Sequence, residues 1–278
     1  MPRFRVMLRL LFATAALPCA LLPDHAAAQA ADPEPTEAKE PRRVRVALGP
    51  QFGPAFPGAD NVSLSPLVDV AVARGSEPFD FEAADESFGF PVFKAKGFSI
   101  GPALNFQTGR KRSESHVDIS EVRTTIELGG FAQYWFTPTV RLHVEVRQGV
   151  NGHRGLVSNA GLDYVARDGD RWLFALGPRV SLSNERYQDA WFRISPRESA
   201  GTGLTSYDPG GVSVHAVGAN ATALRQLTPR WGLYAFAKYD RLVGEAARSP
   251  VVREVGSPNQ FSGGVGVSFT FGRGLGSR

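Results

Sequence analysis

Cysteine is all but missing from this 278-residue chain, and the single one is Cys19. It falls in an N-terminal stretch that reads as an export signal, so the chain beyond that signal carries no thiol. That excludes a disulfide framework and thiolate metal sites, and it suits an oxidising compartment. Long apolar runs are missing too. Beyond residue 30 nothing approaches the roughly 18 consecutive apolar residues of a spanning helix, so any crossing of a membrane must use strands. Basic runs are scarce: Arg110-Lys111-Arg112 stands alone, and three Arg and one Asp in the first thirty residues account for half of the formal charge of +4. A nucleic-acid partner therefore has little support. The five histidines fall in no metal-binding spacing, and no glycine-rich phosphate loop follows a strand-like segment. No catalytic, cofactor-binding or metal-ligating residue is assigned.

The ends are expected to be processing and linker segments. Arg3, Arg5 and Arg9 form a positive region, Leu10 to Leu22 an apolar one, and Ala26-Ala27-Ala28-Gln29-Ala30 offers small-residue cleavage frames. That order predicts a signal peptide over 1–30, with cleavage near Gln29 or Ala31. A lipid anchor on Cys19 is disfavoured because Pro18 precedes it. Residues 31–42, Pro-rich, charged and without bulky apolar groups, predict a disordered periplasmic leader. A β domain is expected over 43–271 and a short tail over 272–278.

From residue 43 onward apolar side chains recur at every second position. Val140, Leu142, Val144 and Val146 oppose Arg141, His143, Glu145 and Arg147. Phe98, Ile100, Pro102, Leu104 and Phe106 oppose Ser99, Gly101, Ala103, Asn105 and Gln107. Near the C-terminus, Phe261, Val265, Val267, Phe269 and Phe271 oppose Ser262, Gly264, Gly266, Ser268 and Thr270. This is the period of a strand with one apolar face. Strands are predicted over 43–53, 63–74, 78–84, 88–94, 97–108, 123–136, 139–149, 158–167, 171–184, 211–227, 230–243 and 260–271. If 78–94 is one irregular stretch the count becomes ten.

A soluble sandwich would alternate in the same way. Three features favour a transmembrane antiparallel up-and-down β-barrel instead. The polar faces are rich in Gly, Ser, Asn and charge, many strands reach the ten or so residues of a tilted crossing, and tight turns alternate with long loops. The turns are Gly75-Ser76-Glu77, Ala95-Lys96, Thr137-Pro138, Asp168-Gly169-Asp170 and Thr228-Pro229; the loops include 109–122, 185–210 and 244–259. Tyr134, Trp135, Phe136, Trp172, Trp231, Phe269 and Phe271 all fall near the turns, where an aromatic girdle belongs. The last strand is expected to close against the first and so remove sheet edges that lipid cannot satisfy.

Candidate sites come from the polar face. Arg141, His143, Glu145, Arg147 and Arg179 are expected to face the lumen. They either set the selectivity of a pore or form an ion-paired plug, and the plug is favoured because small barrels are filled by their own side chains. Arg110-Lys111-Arg112 opens a long loop, where it pairs with lipopolysaccharide phosphate or is simply solvated beside Glu114, Asp118 and Glu121. His153 with Ser158-Asn159 is the one hydrolase-like grouping. Its spacing supplies no nucleophile–base geometry.

Several C-terminal segments carry a resemblance. Ser195-Pro196-Arg197-Glu198-Ser199-Ala200-Gly201-Thr202-Gly203-Leu204 with Tyr207-Asp208 and Gly210-Gly211, Arg241 to Val252, and Gly256-Ser257-Pro258-Asn259-Gln260-Phe261 resemble the segments of the MipA/OmpV family of outer-membrane proteins, the MltA-interacting proteins. Ser99-Ile100-Gly101-Pro102-Ala103-Leu104-Asn105 resembles an upstream one. Glu245 replaces the usual Asp, Thr202 the usual Ser, and a tail follows Phe271. The resemblance spans about residues 44 to 271. It implies an outer-membrane scaffold rather than an enzyme, with a lytic transglycosylase and a penicillin-binding protein as partners, while other members are described as adhesion or antigen proteins. A monomer surrounded by outer-membrane lipid and lipopolysaccharide is expected. A narrow passive channel and a surface lipid hydrolase are the readings from other classes.

Overall fold

Which way each side chain points follows from the two-residue period, and the burial along every long strand keeps it. On β7 (Val140–Gly149) Arg141, His143, Glu145 and Arg147 are buried while Val146 is exposed. On β12 (Asn259–Phe271) Ser268 and Thr270 are buried while Phe261, Val265, Val267 and Phe271 face out. In a soluble protein this would be inside out. Here the apolar face is the outer one, and the polar face is the core.

The computed structural model describes residues 40–115 and 117–272. The expected signal peptide, the leader up to residue 39 and the tail from residue 273 lie outside them. The remaining strands are β1 (Arg42–Pro54), β2 (Val62–Arg74), β3 (Phe88–Gly89), β4 (Phe93–Ala95), β5 (Phe98–Gln107), β6 (Thr125–Thr137), β8 (Leu156–Asp168), β9 (Trp172–Ser183), β10 (Ser213–Gln226) and β11 (Trp231–Leu242). All pair antiparallel in one strongly curled sheet of twelve strands, in the order β2-β1-β12-β11-β10-β9-β8-β7-β6-β5-β3, with β4 also on β5. The first and last strands meet as expected, from Val44 opposite Phe271 to Phe52 opposite Gly263. No helix among the described residues is long and apolar enough to cross a membrane.

Two expectations are overturned. Residues 78–84 are not a strand. The chain leaves β2 at Gly75 and runs through the lumen until Phe88, where it rejoins the wall as the short β3 and β4. The position inside is fixed by its partners: Arg141 of β7, Arg167 of β8, Arg179 of β9 and Lys238 of β11 all reach it with inward-pointing side chains. Phe79, Phe81 and Ala83 alternate because they are buried, not because they pair. Ten long strands therefore form the wall, and the remaining wall position is left to the short β3 and β4. Nor are all sheet edges removed: among the described residues β2 forms no ladder with β3, β4 or β5.

The loops at the other end are folded, not extended. They carry α1 (Glu185–Phe192), α2 (Pro196–Thr202), α3 (Gly244–Arg248), α4 (Pro250–Arg253) and a 3-10 turn at Arg112–Glu114.

Candidate functional site: the filled lumen and its lid

The lumen is filled by a chain of buried ion pairs between the wall and the inner segment. Arg141, fully buried, gives one bond to Asp163 at 2.8 Å, pairs with Glu86, and lies 4.4 Å above the Phe81 ring. Asp163 gives its second oxygen to Arg179 at 2.7 Å, and Arg179 reaches Asp85 at 3.0 Å. Lys238 bridges Asp85 at 3.4 Å and Asp240 at 2.9 Å. Arg147 binds Glu127 at 2.8 Å and also Glu145, which accepts from His143 at 3.0 Å and from the Ser87 hydroxyl at 2.6 Å. All five side chains expected to face the lumen do so. They are paired with one another or with the inner segment, as a plug requires, since a buried charge without a partner is strongly unfavourable.

The turn end is closed by the start of the same segment. The Phe79 N–H donates to Asp170 at 2.9 Å, Arg43 bonds the other oxygen of Asp170 at 2.9 Å, and Arg45 stacks 4.7 Å above the Phe79 ring.

At the loop end an apolar cluster caps the barrel. Phe56, Ile119, Tyr187, Trp191, Phe192, Ile194, Leu204, Leu242, Val251 and Val252 come from four different connections and pack together. Arg110 ties them: its guanidinium donates to the carbonyls of Ser120 at 2.8 Å and Trp191 at 2.8 Å, over the rings of Phe56 and Trp191. It is buried, so it contacts neither solvent nor lipopolysaccharide. Lys111 and Arg112 are exposed and sit beside Glu114, Asp118 and Glu121.

Glu198 clamps two loops together. One oxygen accepts from the Ser120 N–H at 2.7 Å and its hydroxyl at 2.6 Å, the other from the Ser195 N–H at 2.9 Å and its hydroxyl at 2.6 Å. Burial alone would raise this carboxyl, but those four donors hold it down to about 2. The same contacts make Ser195 and Glu198 a capping box for α2, with Pro196 in its first turn. That S-x-x-E spacing is a helix-start signal carried by the sequence itself.

The hydrolase-like grouping does not assemble. The Gly155 N–H donates to His153 Nδ1 at 2.9 Å, which places the proton on Nε2, 2.8 Å from Glu127. Both ring nitrogens are engaged. Ser158 lies on β8 with the alternating parity of exposed Leu156 and Leu162, so it faces away from His153. Among the described residues no group of three or more His, Asp or Glu could hold a metal ion. The aromatic girdle forms without Trp135, which turns inward against the Phe81 and Val165 cluster. Tyr134, Phe136, Trp172, Trp231 and Phe271 are exposed, and Phe269 packs 4.7 Å from both Trp231 and Phe271.

A family model described as MltA-interacting protein MipA matches residues 46–271. The chain belongs to the MipA family. It is an outer-membrane β-barrel. The segments that carry the family resemblance converge on the lid. Ser195 and Glu198 make the clamp, the Tyr207 hydroxyl donates to Glu245 at 2.6 Å, and the Ser249 hydroxyl donates to the Phe192 carbonyl at 2.6 Å. Gln260 accepts from the Gly58 N–H at 3.0 Å and donates to the Ala59 carbonyl at 3.1 Å. Gly256 lies against Gly58, where a Cβ would meet the carbonyl oxygen at 2.0 Å.

Solved structures similar to the chain include the outer membrane protein OprG from Pseudomonas aeruginosa, at 10% identity over 84% of this chain and 97% of that one, TM-score 0.28. The CymD monoaromatic hydrocarbon channel follows at 10% identity over 84% and 88%, TM-score 0.33. OccK8 (OprE) of Pseudomonas aeruginosa matches at 8% identity over 85% and 99%, TM-score 0.30. No curated protein matches the chain by sequence.

Proposed function

We propose that this barrel is a monomeric, non-enzymatic scaffold that holds a murein hydrolase of the lytic transglycosylase class beside a murein synthase of the penicillin-binding class. Two things support the reading: the family description, MltA-interacting protein, and a lumen filled at one end by the inner segment and capped at the other by the lid. A barrel stoppered at both ends has its exposed rims, not a pore, to offer a partner. In barrels of this class the tight turns face the periplasm and the long loops the outside. The described chain begins at the turn end, just before β1, so a leader over 31–42 joins the barrel on the murein side. The order of signal peptide, leader, barrel and tail belongs to this proposal, as do lipid and lipopolysaccharide around the outer face.

Pull-down of the purified barrel with a lytic transglycosylase and a penicillin-binding protein should recover a ternary complex, weakened when residues 31–39 are deleted. Single-channel recording in a planar bilayer should show no conductance steps. Steady conductance with no complex would favour the passive-channel reading.

A further inference from the structure

The barrel wall is interrupted on one side, and the interruption leads inward. Among the described residues β2, on one flank, pairs only with β1, and the 88–95 stretch, on the other, pairs only with β5. Unpaired edges in a lipid-facing wall are unfavourable unless something prevents or satisfies them. Here both edges are blunted by proline. Pro66 of β2 stands opposite Pro50 of β1. Two prolines cannot exchange N–H bonds, so Pro66 directs its nitrogen and carbonyl toward the gap. Gln51 Nε2 caps that carbonyl at 3.0 Å. Across the gap, Pro91 precedes Val92, whose N–H goes to Ile100 of β5 at 2.9 Å. The two edges are built so as not to zip together.

Between them lies a cavity of about 260 Å³. Its outer rim is Val68, Val70, Phe88 and Phe106, all exposed on the lipid-facing side. Its inner wall is mixed: Leu67, Ala84, Tyr234 and Phe236 stand beside Asp69, Glu82, Glu86 and Ser87. Gln51, Ala84, Asn105, Phe106 and Phe236 also line the central cavity of about 420 Å³ under the lid. The apolar belt that meets lipid is therefore continuous with the interior through the gap, while the two axial ends are filled.

The geometry points to a lateral portal: the gap between β2 and the 88–95 stretch admits a single-chain amphiphile from the bilayer, its alkyl chain passing between Val70 and Phe88 and its polar head lodging in the central cavity. An alkyl chain suits the outer rim, which is apolar. A polar head suits the central cavity, where Gln107, Asn159, Ser181 and Lys238 line the wall. A ligand entering here needs no opening of lid or plug.

Full-length protein folded in phospholipid vesicles would be irradiated with a lysophosphatidylcholine carrying a diazirine on its acyl chain close to the headgroup, and adducts mapped by peptide mass spectrometry. Label on Leu67, Tyr234 or Phe236 is expected beside label on the outward Val68, Val70 and Phe88. Ala84→Trp, which fills the junction of the two cavities, should reduce the inward label several-fold and leave the outward label unchanged. Ala84→Leu serves the same purpose if the tryptophan variant fails a heat-modifiability test of folding. Label confined to outward-facing residues would overturn the portal. So would inward label that persists in the folded Ala84 variant, or that a water-soluble short-chain diazirine reproduces equally.

Discussion

Asp163→Asn is the sharpest test of a lumen held by charge. Asp163 is 1% exposed and serves two arginines on neighbouring strands, Arg141 at 2.8 Å and Arg179 at 2.7 Å. The amide removes the negative charge without changing shape, and at least one of its two oxygen positions becomes an N–H pointing at a guanidinium. Removing one partner of a buried pair typically costs about 3–5 kcal/mol. Arg141 keeps Glu86 and Arg179 keeps Asp85, so the expected loss lies toward the lower end, about 3 kcal/mol. The control is Asp168→Asn at the turn, where the carboxylate pairs with an exposed Arg171; surface pairs of this kind are worth about 0–1 kcal/mol. Reversible urea unfolding in lipid vesicles, followed by tryptophan fluorescence, measures both. Equal midpoints for the two variants would mean that water in the lumen screens the network, and the plug argument would fail.

Four further outcomes follow from the same geometry. Val144→Arg, on the lipid face in the middle of β7, should cost about 2–4 kcal/mol, whereas Ser262→Arg, which projects into the 420 Å³ cavity, should be far milder; similar folding free energies for both would reverse the assigned faces. Glu198 titrates at about 2 in the lid against an ordinary value near 4.3, so its clamp is complete above about pH 5 and is lost as pH falls toward 2; protease nicking of the 184–212 loop should rise over that window, and Glu198→Gln should flatten the rise. An epitope inserted at Gly201, where nothing lies within 4 Å, should be reached by antibody on intact cells, and one at Gly169 only after permeabilisation; surface labelling at Gly169 would invert the topology. Phe271→Ala should lower the heat-modifiable, folded fraction in the outer membrane, because Phe271 ends the closing strand and packs on Phe269, while deletion of 273–278 should not.

The wall was legible because a strand has only two faces, and residues such as Val144 and Glu145 announce which is which. Ten long strands fall within two or three residues of their predicted bounds. The inner segment defeated the same rule. Phe79, Phe81 and Ala83 have a strand's period, yet they are spaced to pack beneath Arg45, Arg141 and Val165 inside the lumen. A charge argument would have found it: Asp80, Glu82, Asp85 and Glu86 are four acids without a base, and the inward-facing arginines of β7 and β9 need counter-charges that their own strands do not fully supply. Glu145 shows the converse. It stands at a lumenal position, and three partners converge on it, so it is no neutral control for Val144. The lid is less legible, because its order comes from contacts between distant loops: Gly256 is wedged against Gly58, and the local signals are the helix caps at Asn184, Ser195 and Ser249.

The inner segment also explains why the wall can carry a gap at all. A closed sheet satisfies every edge by pairing, and its lumen is then whatever the strands leave. In this barrel the chain after β2 goes inward, so one wall position is left to the short β3 and β4, and the wall is incomplete beside β2. The inward run is held by ion pairs to β7, β9 and β11, none of which is a flanking strand of the gap in the sheet order. Loosening it, as Asp163→Asn does indirectly through Arg141 and Arg179, would weaken the plug first and the β4–β5 hairpin only afterwards. The gap is thus set by proline and by the path of the chain, while the axial seal is set by charge. The two are separable: Asp163→Asn should loosen the seal without widening the gap, and a bulky substitution at Ala84 should narrow the gap.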